Sequence, residues 1–118
     1  MSWTVEVTDE FEVWWNQLDD DQRVSVDGMI RVLEARGPDL QSPYSIEGTS
    51  SRYEALRQLH IPHQDRTICV LYISDELRPA LVLLTGATAP PGQPVCPPEQ
   101  VAAAEVIYGT YLVRRRAH

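Results

Sequence analysis

The stretch "RTICVLYISDELRPALVLLTG", residues 66–86, sets the fold. Its first part, "TICVLYI", is rich in β-branched and aromatic residues, which favour a strand. The later run "ALVLL" is continuously apolar, as is typical of a strand buried on both faces. Between them "SDELRP" contains the residues of a turn. The stretch therefore predicts two neighbouring strands, at about residues 66–74 and 79–86.

The sequence on either side extends this sheet. A third strand is predicted at about residues 53–60, and "PHQD" (residues 62–65) supplies the turn that follows it. Residues 38–52 are rich in Pro, Ser and Gly, so we expect a loop there. The proline-rich segment 90–98 predicts a second loop. Pro98-Glu99 then opens a final helix whose apolar side carries residues at helical spacing: Val101, Ala104, Ile107, Tyr108 and Tyr111.

The N-terminal part predicts one strand and two helices. Trp3 to Val7 alternates apolar and polar residues, and Thr8 follows as a helix N-cap. Asp19-Asp20-Asp21 marks the start of a second helix, which Gly37-Pro38 ends after Arg36. We therefore expect an α+β fold in a single domain over residues 1–118. Its antiparallel-rich sheet has one N-terminal strand plus three consecutive strands, and packs against an N-terminal helical hairpin, with a C-terminal helix.

Composition excludes several classes of function. The chain has 118 residues, of which 43% are hydrophobic and 23% charged, which is ordinary for a globular protein. Its net charge of −7 argues against non-specific nucleic-acid binding. All ten cationic residues are arginine, so no step can use a lysine. We expect a cytoplasmic protein without a membrane span, because the chain lacks a run of about 18 apolar residues and a signal-peptide pattern.

The two cysteines, Cys69 and Cys96, lack the spacing of metal ligands. Two free thiols in a reducing compartment are the favoured interpretation, and a Cys69–Cys96 disulfide is the alternative. Two histidines close in sequence, His60 and His63, would need Asp65 to complete a metal site. Because that set is weak, we expect no metal.

Four stretches in order carry a resemblance to a known family. They are "WTVEVTDEFEVWWNQLDDDQ" (residues 3–22), "VLEARGPDL" (32–40), "SSRYEALRQLH" (50–60) and the stretch quoted first. In spacing and character they resemble the HigB branch of the RelE-like toxins, over residues 2–86 and the closing helix. No single stretch is diagnostic, but the ordered set is.

This resemblance implies a RelE-like fold and a toxin from a type II toxin–antitoxin system. Such a toxin is an mRNA interferase, an endoribonuclease that enters the ribosomal A site and cleaves mRNA through the ribose 2′-hydroxyl. It implies translation inhibition and growth arrest, without a metal or cofactor. A cognate helix-turn-helix antitoxin, HigA-like, neutralises the toxin. The alternative is a catalytically degenerate toxin-fold module that acts by binding an antitoxin or another protein.

The chemistry requires a base, cations for the phosphate oxygens and an acid for the leaving oxygen. The resemblance implies that Arg57, in "ALR", and Arg66 contact the phosphate. His60 and His63 are candidates for proton transfer, since histidine titrates near neutrality. We expect all four side chains to form one catalytic site on the hairpin, with His60 and His63 close to Arg57. Arg52 and Thr88 are further candidates for RNA binding, alongside Arg57 and Arg66.

Several features weaken or compete with this site. Arg57 would lie on the face opposite Leu56 and could simply pair with Glu54 or Glu47. The family's second strand arginine falls on Cys69, and its lysine falls on Thr88. Histidines at a turn are often only solvated.

Two further groups have a structural and a functional interpretation. The basic run 114–116 suits a helix C-terminus, although it could also contact ribosomal RNA or an acidic partner. The aromatic set Trp3, Trp14 and Trp15 predicts core packing rather than a base-stacking surface.

Overall fold

A computed structural model describes residues 3–40, 44–47, 53, 55–75, 78–89 and 96–116. Along the chain they form strand β1 (Thr4–Val7), helices α1 (Asp9–Asn16) and α2 (Asp20–Arg36), and a short 3-10 turn. Strands β2 (Ser45–Glu47), β3 (Leu56–His63), β4 (Arg66–Ser74) and β5 (Ala80–Ala89) follow, and helix α3 (Pro98–Arg116) comes last. The predicted α+β fold is confirmed, with one N-terminal strand, a helical hairpin, three consecutive strands and a C-terminal helix.

The described strands form one mixed sheet in the order β1-β5-β4-β3-β2. β1 pairs with β5 in parallel, and the other neighbours are antiparallel. Strand β2 is a correction to the predicted loop at residues 38–52. With only three residues, it is too short for alternation to show in the sequence.

The β3–β4 hairpin also differs from the prediction. β3 continues through His63, which pairs with Arg66, so the turn is only Gln64-Asp65 rather than "PHQD". Pro62 is tolerated in the strand for a geometric reason. The backbone N–H of His60 donates to Tyr44 O, away from β4, and the nitrogen of residue 62 points the same way. A proline there removes no bond to β4.

Both faces of the sheet are covered. The α1/α2 side holds a cluster of buried residues that includes Phe11, Leu33, Leu59, Ile61 and Tyr72. The α3 side holds a second cluster that includes Leu56, Cys69, Leu71, Cys96 and Ala104. Consecutive residues of β3 and β4 therefore enter different cores, which is why β4 and β5 contain continuous apolar runs.

Local signals explain where the first two helices begin and end. Thr8 Oγ1 accepts from Phe11 N at 3.0 Å and donates to Leu84 O at 2.7 Å, so the cap also fixes α1 to the sheet. Asp19 and Gln22 form a reciprocal capping box at the start of α2. Both predicted helix starts are confirmed, as is the end of α2 at Arg36.

The three tryptophans pack against the core on the α1/α2 side, as predicted. Trp14 lies directly over Gly86 of β5, where an added Cβ would come within 2.5 Å of its ring. Glycine at this position lets α1 approach the strand closely. None of the described helices is long and apolar enough to cross a membrane.

Candidate functional site

Arg57 is held by two neighbouring strands. Its Nε donates to Ser45 Oγ at 2.8 Å, and its Nη2 donates to Ser45 O at 3.1 Å. Ser45 Oγ also shares a hydrogen bond with the hydroxyl of Tyr72, the residue opposite Arg57 on β4. Ser45 and Tyr72 are fully buried and Arg57 is half-buried. We call these three residues the Arg57 network.

The network fixes the guanidinium on the α1/α2 face of the sheet, beside the first residue of β2. Leu56 turns to the other face and is buried there, as alternation predicts. The side chains of the alternative partners Glu54 and Glu47 lie outside the described residues. Because arginine only donates, Ser45 Oγ accepts from Arg57 and can give its own hydrogen to Tyr72.

His63 and Arg66 share that face but lie at the far end of the hairpin. His63 lies six positions after Arg57, a distance of about 20 Å along a strand. The Nδ1 atom of His63 is hydrogen-bonded to Ser25 Oγ of α2 at 2.9 Å, which links the hairpin to the helix. Arg66, the cross-strand partner of His63, is exposed. The expectation that both histidines lie close to Arg57 is therefore wrong for His63.

His60 lies on the opposite face of β3, beneath the start of α3. Its cross-strand partner is Cys69, and Cys96 reaches the same place from the segment that leads into α3. One ligand atom from each residue lies within 4.8 Å of the other two. We call this group the thiol–imidazole cluster. His60 thus shares no face with Arg57, nor with His63, so the two histidines cannot bind one metal ion together with Asp65.

Burial and hydrogen bonding set the protonation of the cluster. Burial lowers the pKa of His60, which favours the neutral imidazole. A hydrogen bond between the two thiols lowers the pKa of Cys69 and raises that of Cys96, and burial raises the latter further. Both thiols are free in this structure, and both are buried.

The buried side-chain amide of Gln58, on the same strand as His60, is hydrogen-bonded to the cluster. Gln58 Oε1 lies 3.1 Å from His60 Nε2 and accepts from the backbone N–H of Cys96 at 3.3 Å. Because the oxygen is an acceptor, His60 Nε2 must carry the hydrogen, and the lone pair is then on Nδ1. Sequence reasoning missed Gln58, Ser45 and Tyr72, since only strand register places them beside His60 and Arg57.

The remaining candidates are dispersed. Thr88 is half-buried on the α1/α2 face, opposite Ile68. Arg114 is exposed at the end of α3, with its Nη1 3.5 Å from Asp9 Oδ2 of α1. Arg52 lies outside the described residues, as do the side chains of Arg115 and Arg116. The structure thus joins Arg57 to Ser45 and Tyr72, and His60 to the two cysteines, rather than forming one site from all the candidates.

Comparison with known proteins finds chains of similar structure but none of similar sequence. No protein-family model matches the chain, and no curated protein matches its sequence. The toxin–antitoxin complex RelBE2 from Mycobacterium tuberculosis aligns with a TM-score of 0.58 at 12% identity, over 75% of this chain and all of that one. E. coli toxin RelE, a double mutant in the free state, aligns with a TM-score of 0.60 at 9% identity, over 90% and 96%.

An archaeal RelE–RelB complex from Pyrococcus horikoshii aligns as well. Its TM-score is 0.51 at 17% identity, over 79% of this chain and 99% of that one. At such low identities the similarity is one of fold. The chain has the RelE-like fold, as its sequence predicts.

Proposed function

We propose that this chain is the toxin of a type II toxin–antitoxin system, of the HigB branch, formed as a single domain over residues 1–118. The observation that carries the proposal is the extent of the structural match. The alignments span 96–100% of the three similar chains, of which one is a toxin and two belong to toxin–antitoxin or RelE–RelB complexes. The expected partner is a cognate helix-turn-helix antitoxin, HigA-like, in the cytoplasm.

We further propose that the toxin is a ribosome-dependent mRNA interferase. In this mechanism the 2′-hydroxyl attacks the adjacent phosphate without a metal, and Arg57 stabilises the charge that develops on the phosphate oxygens. Two of the five guanidinium donors bind Ser45, which fixes the plane of the group and orients its remaining N–H donors. The exposed Arg66 and the candidates Arg52 and Thr88 would contact the message beyond the cleaved bond.

Cleavage by this route also requires a base and an acid close to Arg57. Among the described residues, Arg57 is hydrogen-bonded to the buried Ser45, whose hydroxyl is in turn hydrogen-bonded to that of Tyr72. His63 lies about 20 Å along the strand, and His60 faces the other way. In this proposal the base comes from the ribosome or the message itself. This observation also favours the second candidate, a catalytically degenerate toxin fold that acts by binding an antitoxin.

Induced expression in a bacterium tests both candidates. The wild type should arrest growth and create new mRNA ends, and Arg57→Ala should abolish both effects. Arg31→Ala is the matched control, because it removes an exposed arginine whose partner Asp27 lies one helical turn away on α2. It should arrest growth like the wild type.

Circular dichroism and antitoxin binding keep this test interpretable. Arg57→Ala should fold and bind the antitoxin, because the substitution leaves both cores intact. Arrest by the wild type without new mRNA ends contradicts the interferase. A folded wild type that neither arrests growth nor binds an antitoxin from the adjacent gene contradicts the toxin itself.

A further inference from the structure

The thiol–imidazole cluster has the composition and geometry of a metal site. Its three side chains come from three separate elements: β3, β4 and the segment before α3. Thiolate and imidazole together are the ligands that Zn²⁺ prefers in proteins. Two cysteines 27 positions apart give no ligand spacing in the sequence, so only the folded chain brings them together.

The distances suit a tetrahedral ion. With Zn–S bonds of about 2.3 Å and Zn–N bonds of about 2.0–2.1 Å, ligand atoms around Zn²⁺ lie roughly 3.5–3.8 Å apart. The ligand atoms of His60, Cys69 and Cys96 already lie within 4.8 Å of one another. Adjustments of about 1 Å would therefore close the site.

We propose that His60, Cys69 and Cys96 bind one Zn²⁺ ion, with a water molecule as the fourth ligand. Binding would release the two thiol protons to solvent, because cysteine ligates as the thiolate. Gln58 supports the site from outside. Its Oε1 lies 3.1 Å from His60 Nε2 and accepts from the backbone N–H of Cys96, so the amide ties the imidazole to the residue that carries the second thiol.

The ion would connect the start of α3 to the centre of the sheet. Cys96 lies two residues before α3, while His60 and Cys69 face each other across the β3–β4 pair. The site lies on the opposite face of β3 from Arg57, so it is separate from the metal-free cleavage proposed above. The proposed metal site rests on the thiol–imidazole cluster alone and does not depend on the toxin function.

Titration of the reduced full-length chain with Co²⁺ and then Zn²⁺ tests the site. Co²⁺ should give a thiolate charge-transfer band and the strong visible bands of a tetrahedral site, saturating at one ion per chain. Zn²⁺ should displace it, release protons and raise the Tm. Inductively coupled plasma mass spectrometry of the purified chain provides an independent count of the bound metal.

Matched variants assign the ligands. His60→Gln should weaken Zn²⁺ binding on the order of 100-fold or more, and Gln58→Ala about 10-fold, as expected for a ligand and its outer partner. His63→Gln is the control, because it removes the other histidine of β3 on the opposite face, and it should bind like the wild type. Cys96→Ser should abolish the charge-transfer intensity that its sulfur contributes. The half-buried His60 carries the test, since Cys69 is completely buried and its replacement could impair folding.

Three results would overturn the proposal. The first is a folded, reduced chain that shows no thiolate–Co²⁺ band. The second is an equal loss of affinity in His60→Gln and His63→Gln, which would place the ion elsewhere. The third is a chain that is isolated with a Cys69–Cys96 disulfide, two hydrogens lighter, and still binds no metal after reduction.

Discussion

Replacing Tyr72 by Phe removes a single hydroxyl from the Arg57 network, and its cost can be worked out from the contacts. The substitution breaks the hydrogen bond to Ser45 Oγ, a net loss of about 0.5–1.5 kcal/mol. In the arrangement in which Ser45 is the donor, it also leaves the hydrogen of this fully buried hydroxyl without an acceptor, a penalty of about 1–3 kcal/mol. Both figures describe the loss of the same hydrogen bond, so they are not added. We expect a loss of about 2 kcal/mol in the free energy of unfolding.

Denaturant unfolding and a double-mutant cycle measure this effect. Tyr72→Phe, Ser45→Ala and the double variant should show a coupling energy of about 1 kcal/mol, since the second substitution no longer breaks an existing bond. Tyr44→Phe is the control, because that side chain is 47% exposed, and it should change stability by less than about 0.5 kcal/mol. A coupling below about 0.3 kcal/mol would refute the network, because additive losses mean that the two hydroxyls do not interact.

Two further predictions concern packing and charge. Gly86→Ala should destabilise the chain by about 1–3 kcal/mol in thermal unfolding, because its Cβ would overlap the Trp14 ring. By contrast Gly28→Ala, on an open helical site, should stabilise it by about 0.5–1 kcal/mol; the reverse order would contradict the packing argument. A hydrogen bond from Arg78 lowers the pKa of Glu6, so this pair's stabilisation is present above the unfolded pKa of 4.5 and is lost on acidification. When the free energy of unfolding is measured from about pH 5 down to pH 2, Arg78→Gln should therefore lose less stability than the wild type. Equal pH dependence in the two proteins would contradict a stabilising Glu6–Arg78 pair.

The sequence predicts the main elements because apolar spacing and helix caps are local signals. Thr8 and Asp19 start their helices by binding backbone groups three residues away, which a sequence can show directly. Strand β2 could not be predicted in this way. Three residues carry no period, and what holds Ser45 in the sheet is pairing with β3 together with its hydrogen bonds with Arg57 and Tyr72.

The candidate site was harder to predict because it depends on strand faces and register. The residue types near position 60 were recognised from the sequence, but alternation sends Arg57 and His60 to opposite cores. In the sequence, Cys69 stands where the resembled family has its second strand arginine, whereas the pairing of β4 with β3 makes it the direct neighbour of His60. The approach of Cys96 depends on the path of a connecting segment, which no local pattern specifies.

Strand β3 therefore presents two chemically different surfaces, and each has its own test. The α1/α2 face carries Arg57, which is fixed by its hydrogen bonds to Ser45 and offers a positive charge for phosphate. The α3 face carries two thiols and an imidazole, which suit a soft cation and cannot attract phosphate. Loss of growth arrest in Arg57→Ala with Zn²⁺ binding unchanged would show that the two faces act independently. Loss of arrest in His60→Gln would instead mean that the metal site supports the toxin, through the position of α3 on the sheet.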